Sequence, residues 1–256
     1  MHPVLFSIGT FEVHAYGVAA GLAFLFGLTG AAVVGSREGL SWDFLWDLAL
    51  VIIAGVVVGS RLEYVRTRLT QFAAAPLTVF DLRDGGAVFY GGLVGGVGAA
   101  IVYMAWRKQP IWRVLDLYAP FIAFSHAIGR VGCFAAGCCY GAPTDLPWGV
   151  VFPAGGRAPA GVSLHPTQLY EVGANVLLGL LLLLVRARVK TEGIAFAVLL
   201  LGYTSFRVGN ELLRGDLVRG QVGAGITNGQ AISAALFAAG AVIIWRRWPR
   251  PARTAP

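Results

Sequence analysis

The sequence predicts an all-α, polytopic integral membrane protein, with about seven transmembrane helices set by runs of roughly 20 mostly apolar residues. Two compositional observations support this. Apolar residues make up 57% of the 256 positions and charged residues only 13%, where a soluble domain carries about a quarter charged residues, and the mean hydropathy is +0.70. There are also 35 glycines, a residue frequent where membrane helices approach closely. The same figures exclude a disordered chain, a collagen, a coiled coil and a secreted disulfide scaffold. The net charge of +7 would suggest nucleic acid in a soluble chain; here it is a question of topology, and no nucleic-acid partner is expected.

The first span is predicted from about Tyr16 to Gly35. No basic n-region precedes it, so it reads as retained and not as a cleaved signal peptide. The second runs from Phe44 to Tyr64 with Asp47 inside it, and the third from Ala87 to Trp106. The fourth, Val114 to Phe134, is interrupted by Asp116, Pro120, His126 and Arg130, polar groups that belong against protein and not lipid. The fifth covers Leu169 to Val185, the sixth Ile194 to Leu213 and the seventh Ala231 to Trp248. The segment 135–166 is too polar and too rich in Gly and Pro to span, and reads as the longest loop of a single transmembrane domain covering residues 1–256.

Orientation follows from the basic residues of the short loops. With the N-terminus outside, the cytoplasmic edge receives Arg37, Arg107, Lys108, Arg113, Arg186, Arg188, Lys190, Arg246, Arg247, Arg250 and Arg253, including both lysines of the chain. The opposite face mixes Arg66, Arg68, Arg83, Arg157, Arg214 and Arg219 with Asp81, Asp84, Asp145 and Asp216. The prediction is N-terminus outside, C-terminus cytoplasmic, with the 135–166 loop periplasmic.

An arginine within a span costs about 2.5–3.5 kcal/mol on insertion scales, so each needs a partner or a purpose. Arg61 ends the second span, Arg130 lies near the end of the fourth, and Arg207 sits inside the sixth. Helical spacing puts Tyr203, Arg207 and Glu211 on one face, with Arg214 three residues beyond Glu211. Counted against Glu63 and Glu211, the arginines leave a positive surplus. Guanidinium forks match phosphate oxygens and stay charged when buried, so a phospholipid head group is the natural missing anion.

Two further motifs are polar. His165-Pro166-Thr167-Gln168-Leu169-Tyr170-Glu171 opens the fifth span with the pattern of a capped helix start. Tyr90-Gly91-Gly92, in a run with four glycines in six residues, either permits close helix packing or lets backbone amides approach a ligand.

Taken in order, these motifs resemble the bacterial prolipoprotein diacylglyceryl transferases. The resemblance is carried by His14-Ala15-Tyr16-Gly17, Gly55 through Arg61, Gly91-Gly92-Leu93, Asp116 to Pro120, Gly129-Arg130-Val131-Gly132, Tyr140-Gly141, His165 to Glu171, Tyr203 to Arg214 and Gly229-Gln230. It implies an inner-membrane enzyme with its active site toward the periplasm, acting as a monomer. The reaction implied is transfer of a diacylglyceryl group from phosphatidylglycerol to the lipobox cysteine thiol of a preprolipoprotein, giving a thioether and glycerol phosphate. No cofactor and no metal are implied. Arg130 and Arg207 match the family's essential arginines, and the resemblance adds His14, Tyr16, Arg61, Gly91, Gly92, Gly141, His165, Gln168, Glu171, Tyr203, Glu211 and Arg214 as substrate-binding candidates, with Gly141 leaving room for substrate.

The chain departs from the family signature where Cys133 replaces a common asparagine and Cys138 a common glutamate. Tyr90 stands where many members have a histidine proposed as the thiol's base, and a phenol of pKa near 10 is a poor base at neutral pH. His126, one turn before Arg130, is either a substitute base or a hydrogen-bonded packing residue. Cys133, Cys138 and Cys139 read as packing residues, as a disulfide pair, or as a thiolate activated by Arg130; the spacing C-x4-C-C is awkward for a metal. Competing functions are a sister enzyme with another lipid or thiol acceptor, a non-catalytic binder or transporter of anionic lipid, and a membrane thiol-redox protein.

Overall fold

The computed structural model describes residues 3–9, 11–74, 78–79, 89–154, 157–215, 221–223 and 226–248. Ala87, Asp81, Arg83, Asp84, Asp216, Arg219, Arg250, Arg253 and the side chain of Tyr90 lie outside the described residues.

A short hairpin of β1 (Val4–Ile8) and β2 (Phe11–His14) leads into α1 (Ala15–Arg37), followed by α2 (Trp42–Arg66), the single-turn-scale α3 (Leu69–Ala74), α4 (Phe89–Trp106) and α5 (Ile111–Ala135). The pair β3 (Val150–Val151) and β4 (Ser163–Leu164) lies in the loop before α6 (Thr167–Arg188), and α7 (Ile194–Leu212) is joined to α8 (Asn228–Arg247) through β5 (Gln221–Gly223) and β6 (Ile226–Thr227). Every segment anticipated as a span contains a helix, and the bounds move outward or inward by at most a few residues. Of the strand pairs among the described residues, one precedes α1 and two sit in connections, where they satisfy backbone groups that the helices do not.

Four helices, Ala15–Arg37, Trp42–Arg66, Thr167–Arg188 and Gly229–Arg247, are long and apolar enough to cross a membrane. Their outward faces are apolar: on α6, Leu177, Leu180, Leu181 and Leu184 are all exposed, which suits hydrocarbon and not water. The polar residues that dilute α5 and α7 are buried or half-buried instead, apart from the exposed Ser205. The protein is therefore a helical membrane protein.

The chain divides into two compact units, Met1–Ala31 with Leu115–Pro256, and Ala32–Val114. In the second of these, α2 and α4 meet backbone to backbone. A Cβ on Gly55 would lie 2.6 Å from the Gly95 carbonyl oxygen and 2.7 Å from Ala99 Cβ, and Gly59 abuts Gly91 and Gly95 in the same way. Small residues four apart on both helices permit this approach, which maximises dispersion contact where no hydrophobic effect acts between helices. The glycine run at Gly91-Gly92 is thus used for packing against α2. At the other end of this pair Asp47 accepts from Tyr103 Oη at 2.9 Å and from Arg107 Nη1 at 3.2 Å, so its charge is matched.

In the larger unit, α1 and α5 approach through Gly27, Gly30 and Gly132, whose missing side chains are replaced by Ser125, Phe121 and Ala19 respectively. Phe124 of α5 fills the space over Gly179 of α6, and Ala119, Ala123, Leu178, Leu182, Ala195 and Leu199 form a buried cluster among α5, α6 and α7. Asp116 accepts from the backbone N–H groups of Gly193 at 2.6 Å and Phe196 at 2.8 Å. An anionic group there satisfies orphan donors at the start of α7 and complements its dipole. The 136–166 loop carries its own small core of Phe152, Ala158 and Leu164 with Phe134, Tyr140 and Val150 against it.

Candidate active site

Glu171, on the second turn of α6, is 1% exposed and stands at the centre of the larger unit's polar interior. Its Oε2 is ion-paired with Arg130 Nε of α5 and lies 3.2 Å from His126 Nε2. Its Oε1 accepts from Asn210 Nδ2 at 2.9 Å and faces Arg207 Nη1 at 3.4 Å, both on α7. Arg207 Nη2 reaches Glu211 Oε2 at 2.7 Å, one turn along its own helix. Glu211 Oε1 in turn accepts from Thr227 Oγ1 at 3.3 Å, the residue that caps α8 in a reciprocal pair with Gln230. Helices α5, α6, α7 and α8 are therefore joined through one hydrogen-bonded chain of charge.

The helical spacing of Arg207 and Glu211 is realised as the predicted i,i+4 pair. Tyr203 lies one turn before Arg207 and sets its ring edge-on to His126, with centroids 5.1 Å apart. His126 Nε2 also faces Arg130 Nε at 3.2 Å, so this nitrogen is engaged by Glu171 and Arg130. These contacts place His126 in the charged centre beside Arg130 and Glu171.

Two expectations change. Glu171 is not a capping residue: the cap position of α6 is Pro166 and no side chain caps it, while the Thr167 hydroxyl donates to Cys139 O at 2.8 Å. Arg130 and Arg207 are also not left with unmatched charge, since Glu171 and Glu211 are both in contact with them. Two positive and two negative groups, 14%, 15%, 1% and 5% exposed for Arg130, Arg207, Glu171 and Glu211, balance formally. That pairing offsets part of the cost of burial. It also preorganises the guanidinium groups, each of which has five N–H donors and keeps some for another partner. Asn210, Thr227 and Glu171's central place were not foreseen. The available signal for Glu171 was the need of two intramembrane arginines for counter-ions.

Around this centre, Gln168 Nε2 donates to Cys138 O at 2.7 Å. His165 Nδ1 lies 3.2 Å from Tyr170 Oη, which also accepts from Trp148 Nε1 at 2.8 Å. Gly141 has its amide on His165 O at 2.9 Å, and a Cβ there would meet His165 Cβ at 2.5 Å and Leu213 O at 2.9 Å. The room at Gly141 is filled by neighbouring chain, because two backbone segments pass on either side of it, one of them pairing it with Arg214. Tyr16 is half exposed on α1, within electrostatic reach of Arg130. His14 is exposed at the end of β2, 3.9 Å from Glu12 Oε2.

Arg61, Gly91 and Gly92 belong to the other unit. There Arg61 donates to Val79 O and Thr78 O, both at 2.8 Å, and stacks over Tyr64 and Phe72.

Cys133, Cys138 and Cys139 are free thiols with their sulfurs all within 4.8 Å of one another. In the loop beyond α5, hydrogen bonding from the Cys133 and Cys138 side chains holds the Cys139 thiol below its ordinary range, and Arg214 and Arg130 add to the effect.

Apolar outward helix faces together with a buried arginine–carboxylate centre in the larger unit define a helical membrane protein with a charged interior site. The family model described as prolipoprotein diacylglyceryl transferase matches residues 3–246, and the chain belongs to that family. It is 34% identical over 216 residues to the phosphatidylglycerol–prolipoprotein diacylglyceryl transferase of Clostridium tetani, covering 84% of this chain and 86% of the relative. With the protein of the same name from Bordetella bronchiseptica the identity is 35% over 245 residues, covering 93% and 92%. The Aeromonas salmonicida protein of that name is 33% identical over 254 residues, covering 97% and 91%.

Proposed function

We propose that this protein transfers the diacylglyceryl group of phosphatidylglycerol to the lipobox cysteine thiol in the signal peptide of a preprolipoprotein, releasing glycerol phosphate. The relatives' names supply the substrates. The observation that carries the chemistry is the pair of guanidinium groups, Arg130 and Arg207, held across one buried carboxylate, Glu171. Displacement at a glyceryl carbon develops negative charge on the departing phosphate. Donors fixed in place before reaction stabilise that charge without reorganisation, most effectively where water is excluded. Glu171 and Glu211 hold the two arginines, Asn210 holds Glu171, and the remaining guanidinium N–H donors face the phosphate. His126 and Tyr203 position Arg130, Tyr16 lines the approach of the lipid, and Arg214 adds positive charge beside the loop.

In this reading the chain crosses the bacterial inner membrane seven times as a monomeric single domain. The N-terminus is outside, the lysine- and arginine-rich edge is cytoplasmic, and the 135–166 loop and active site are periplasmic.

The test is an assay of purified protein in detergent with phosphatidylglycerol and a lipobox peptide. The wild type forms a thioether-linked diacylglyceryl peptide, and Arg130→Ala or Arg207→Ala reduces its rate by about 10²-fold or more, the scale of losing one oxyanion donor. Arg207→Lys does not restore it, since a point charge cannot reproduce the planar fork. No product from the folded wild type overturns the assignment.

A further inference from the structure

The transfer reading makes no use of the three-cysteine cluster, although the fold brings it together at a structural cost. Gly137 and Cys139, at φ 64° and 62°, turn the chain back after α5 so that all three sulfurs come within 4.8 Å of one another. The left-handed conformation at Cys139, a residue with a β-carbon, costs about 1–2 kcal/mol. It is held by the Thr167 hydroxyl on Cys139 O and the Gln168 amide on Cys138 O, at 2.8 and 2.7 Å. Strain kept in place by neighbouring hydrogen bonds marks a site that has work to do.

The arrangement matches a soft divalent cation. Zn–S bonds of about 2.3 Å in a tetrahedron set sulfurs roughly 3.8 Å apart, so the cluster closes around an ion by a movement of about 1 Å. Three thiolates and Zn²⁺ carry a net charge of −1, and the positive groups Arg130 and Arg214 stand within electrostatic reach of the cluster. Cys133 is buried and Cys138 and Cys139 are half-buried, which leaves one side reachable. Three protein ligands with an open fourth position are the arrangement of catalytic zinc.

The place of the cluster is informative. Helices α5 and α6 run antiparallel, since Phe124 meets Gly179 and Arg130 meets Glu171. Cys133 is three residues beyond Arg130, and Thr167 and Gln168, which grip the other two cysteines, are four and three residues before Glu171. Along both helices the thiols therefore lie about one turn, ~5.4 Å, toward the loop from the guanidinium groups. In-line attack with sulfur about 3–3.5 Å from carbon needs a nucleophile-to-phosphate separation of the same order.

We propose that Cys133, Cys138 and Cys139 bind one zinc-type divalent cation as thiolates, and that its fourth position takes the acceptor thiol; the second part rests on the transfer reading above. On coordination the acceptor thiol loses its proton to solvent. Its sulfur then bonds to the glyceryl carbon as the carbon–oxygen bond to phosphate breaks, and that bond's electron pair leaves with glycerol phosphate. The thioether, a poorer ligand, departs.

The experiment uses the full chain, reduced and metal-stripped in detergent, titrated with Co²⁺. One equivalent produces a thiolate-to-cobalt charge-transfer band and tetrahedral d–d bands, and the Cys133→Ser/Cys138→Ser/Cys139→Ser variant produces neither. As a check independent of that variant's folding, one equivalent of Zn²⁺ protects all three wild-type thiols from iodoacetamide. A lipobox peptide shifts the d–d bands and its Cys→Ser counterpart does not, and chelation slows thioether formation by at least about tenfold, reversed by Zn²⁺. Absence of the cobalt bands, or unprotected thiols, overturns the metal site. Bands indifferent to the peptide, or transfer indifferent to chelation, overturn the role of the fourth position. A responding cobalt spectrum without any thioether product overturns the transfer reading and leaves the metal site standing.

Discussion

Replacing Glu171 by Gln tests the central ion-pair arrangement most directly. The substitution keeps the shape and the acceptor facing Asn210, at 2.9 Å in the wild type, but removes the negative charge shared by Arg130 and Arg207. Both guanidinium groups are at least four-fifths buried, with side chains 14% and 15% exposed. Breaking a buried pair by removing one partner costs about 3–5 kcal/mol, because the remaining charge is left uncompensated. Glu211 still neutralises Arg207, so Arg130 bears most of the loss and the lower part of that range applies. At about 2–4 °C per kcal/mol for a chain of this size, the unfolding temperature falls by roughly 10 °C. Thermal unfolding of the purified protein in detergent measures this. The double variant Glu171→Gln/Arg130→Gln recovers part of the loss, because it removes the orphaned charge as well, giving a coupling energy above about 1 kcal/mol in the cycle. An unfolding temperature equal to wild type in Glu171→Gln, or simple additivity in the double variant, would refute the central role given to this carboxylate.

Two further expectations follow from local geometry. Gly95→Ala destabilises the α2–α4 pair because its Cβ would lie 2.8 Å from Gly59 Cα with backbone also against it, whereas Gly98→Ala meets nothing within 4 Å and stabilises by about 0.4–1 kcal/mol; equal unfolding temperatures for the two variants would contradict the packing. In metal-free protein, Cys139 remains a thiolate at lower pH than an ordinary cysteine of pKa about 8.5, because the Cys133 and Cys138 side chains hydrogen-bond to it. Peptide mapping after brief iodoacetamide exposure therefore shows Cys139 alkylated below that pH, and Cys133→Ala moves the profile up; an unchanged profile counts against the shift.

The residues that sequence placed well are those whose signal is local. Tyr203, Arg207 and Glu211 share a face because the helix repeat dictates it, and the 2.7 Å pair of Arg207 with Glu211 follows from that repeat alone. The polar residues of the fourth span likewise announced an interior-facing helix, and Asp116 does face inward, onto the start of α7. The central place of Glu171 is not legible locally, because its context, one turn after Pro166-Thr167, is also the context of a capping residue. Its real partners are 41 residues before it and 36 and 39 after it in the chain.

By itself, the sequence determined that the protein is a helical membrane protein, where its apolar segments lie and which arginines fall within them, because hydropathy and helical periodicity are properties of neighbouring residues. Only the tertiary structure decided that Glu171 is the shared counter-ion, that Gly91 serves close packing with α2, that Gly141 is enclosed by backbone, and that three unevenly spaced cysteines converge. Each of these depends on which helix lies against which and on where the backbone turns left-handed. Pairwise distances between segments far apart in sequence are set by packing, and no local pattern encodes them.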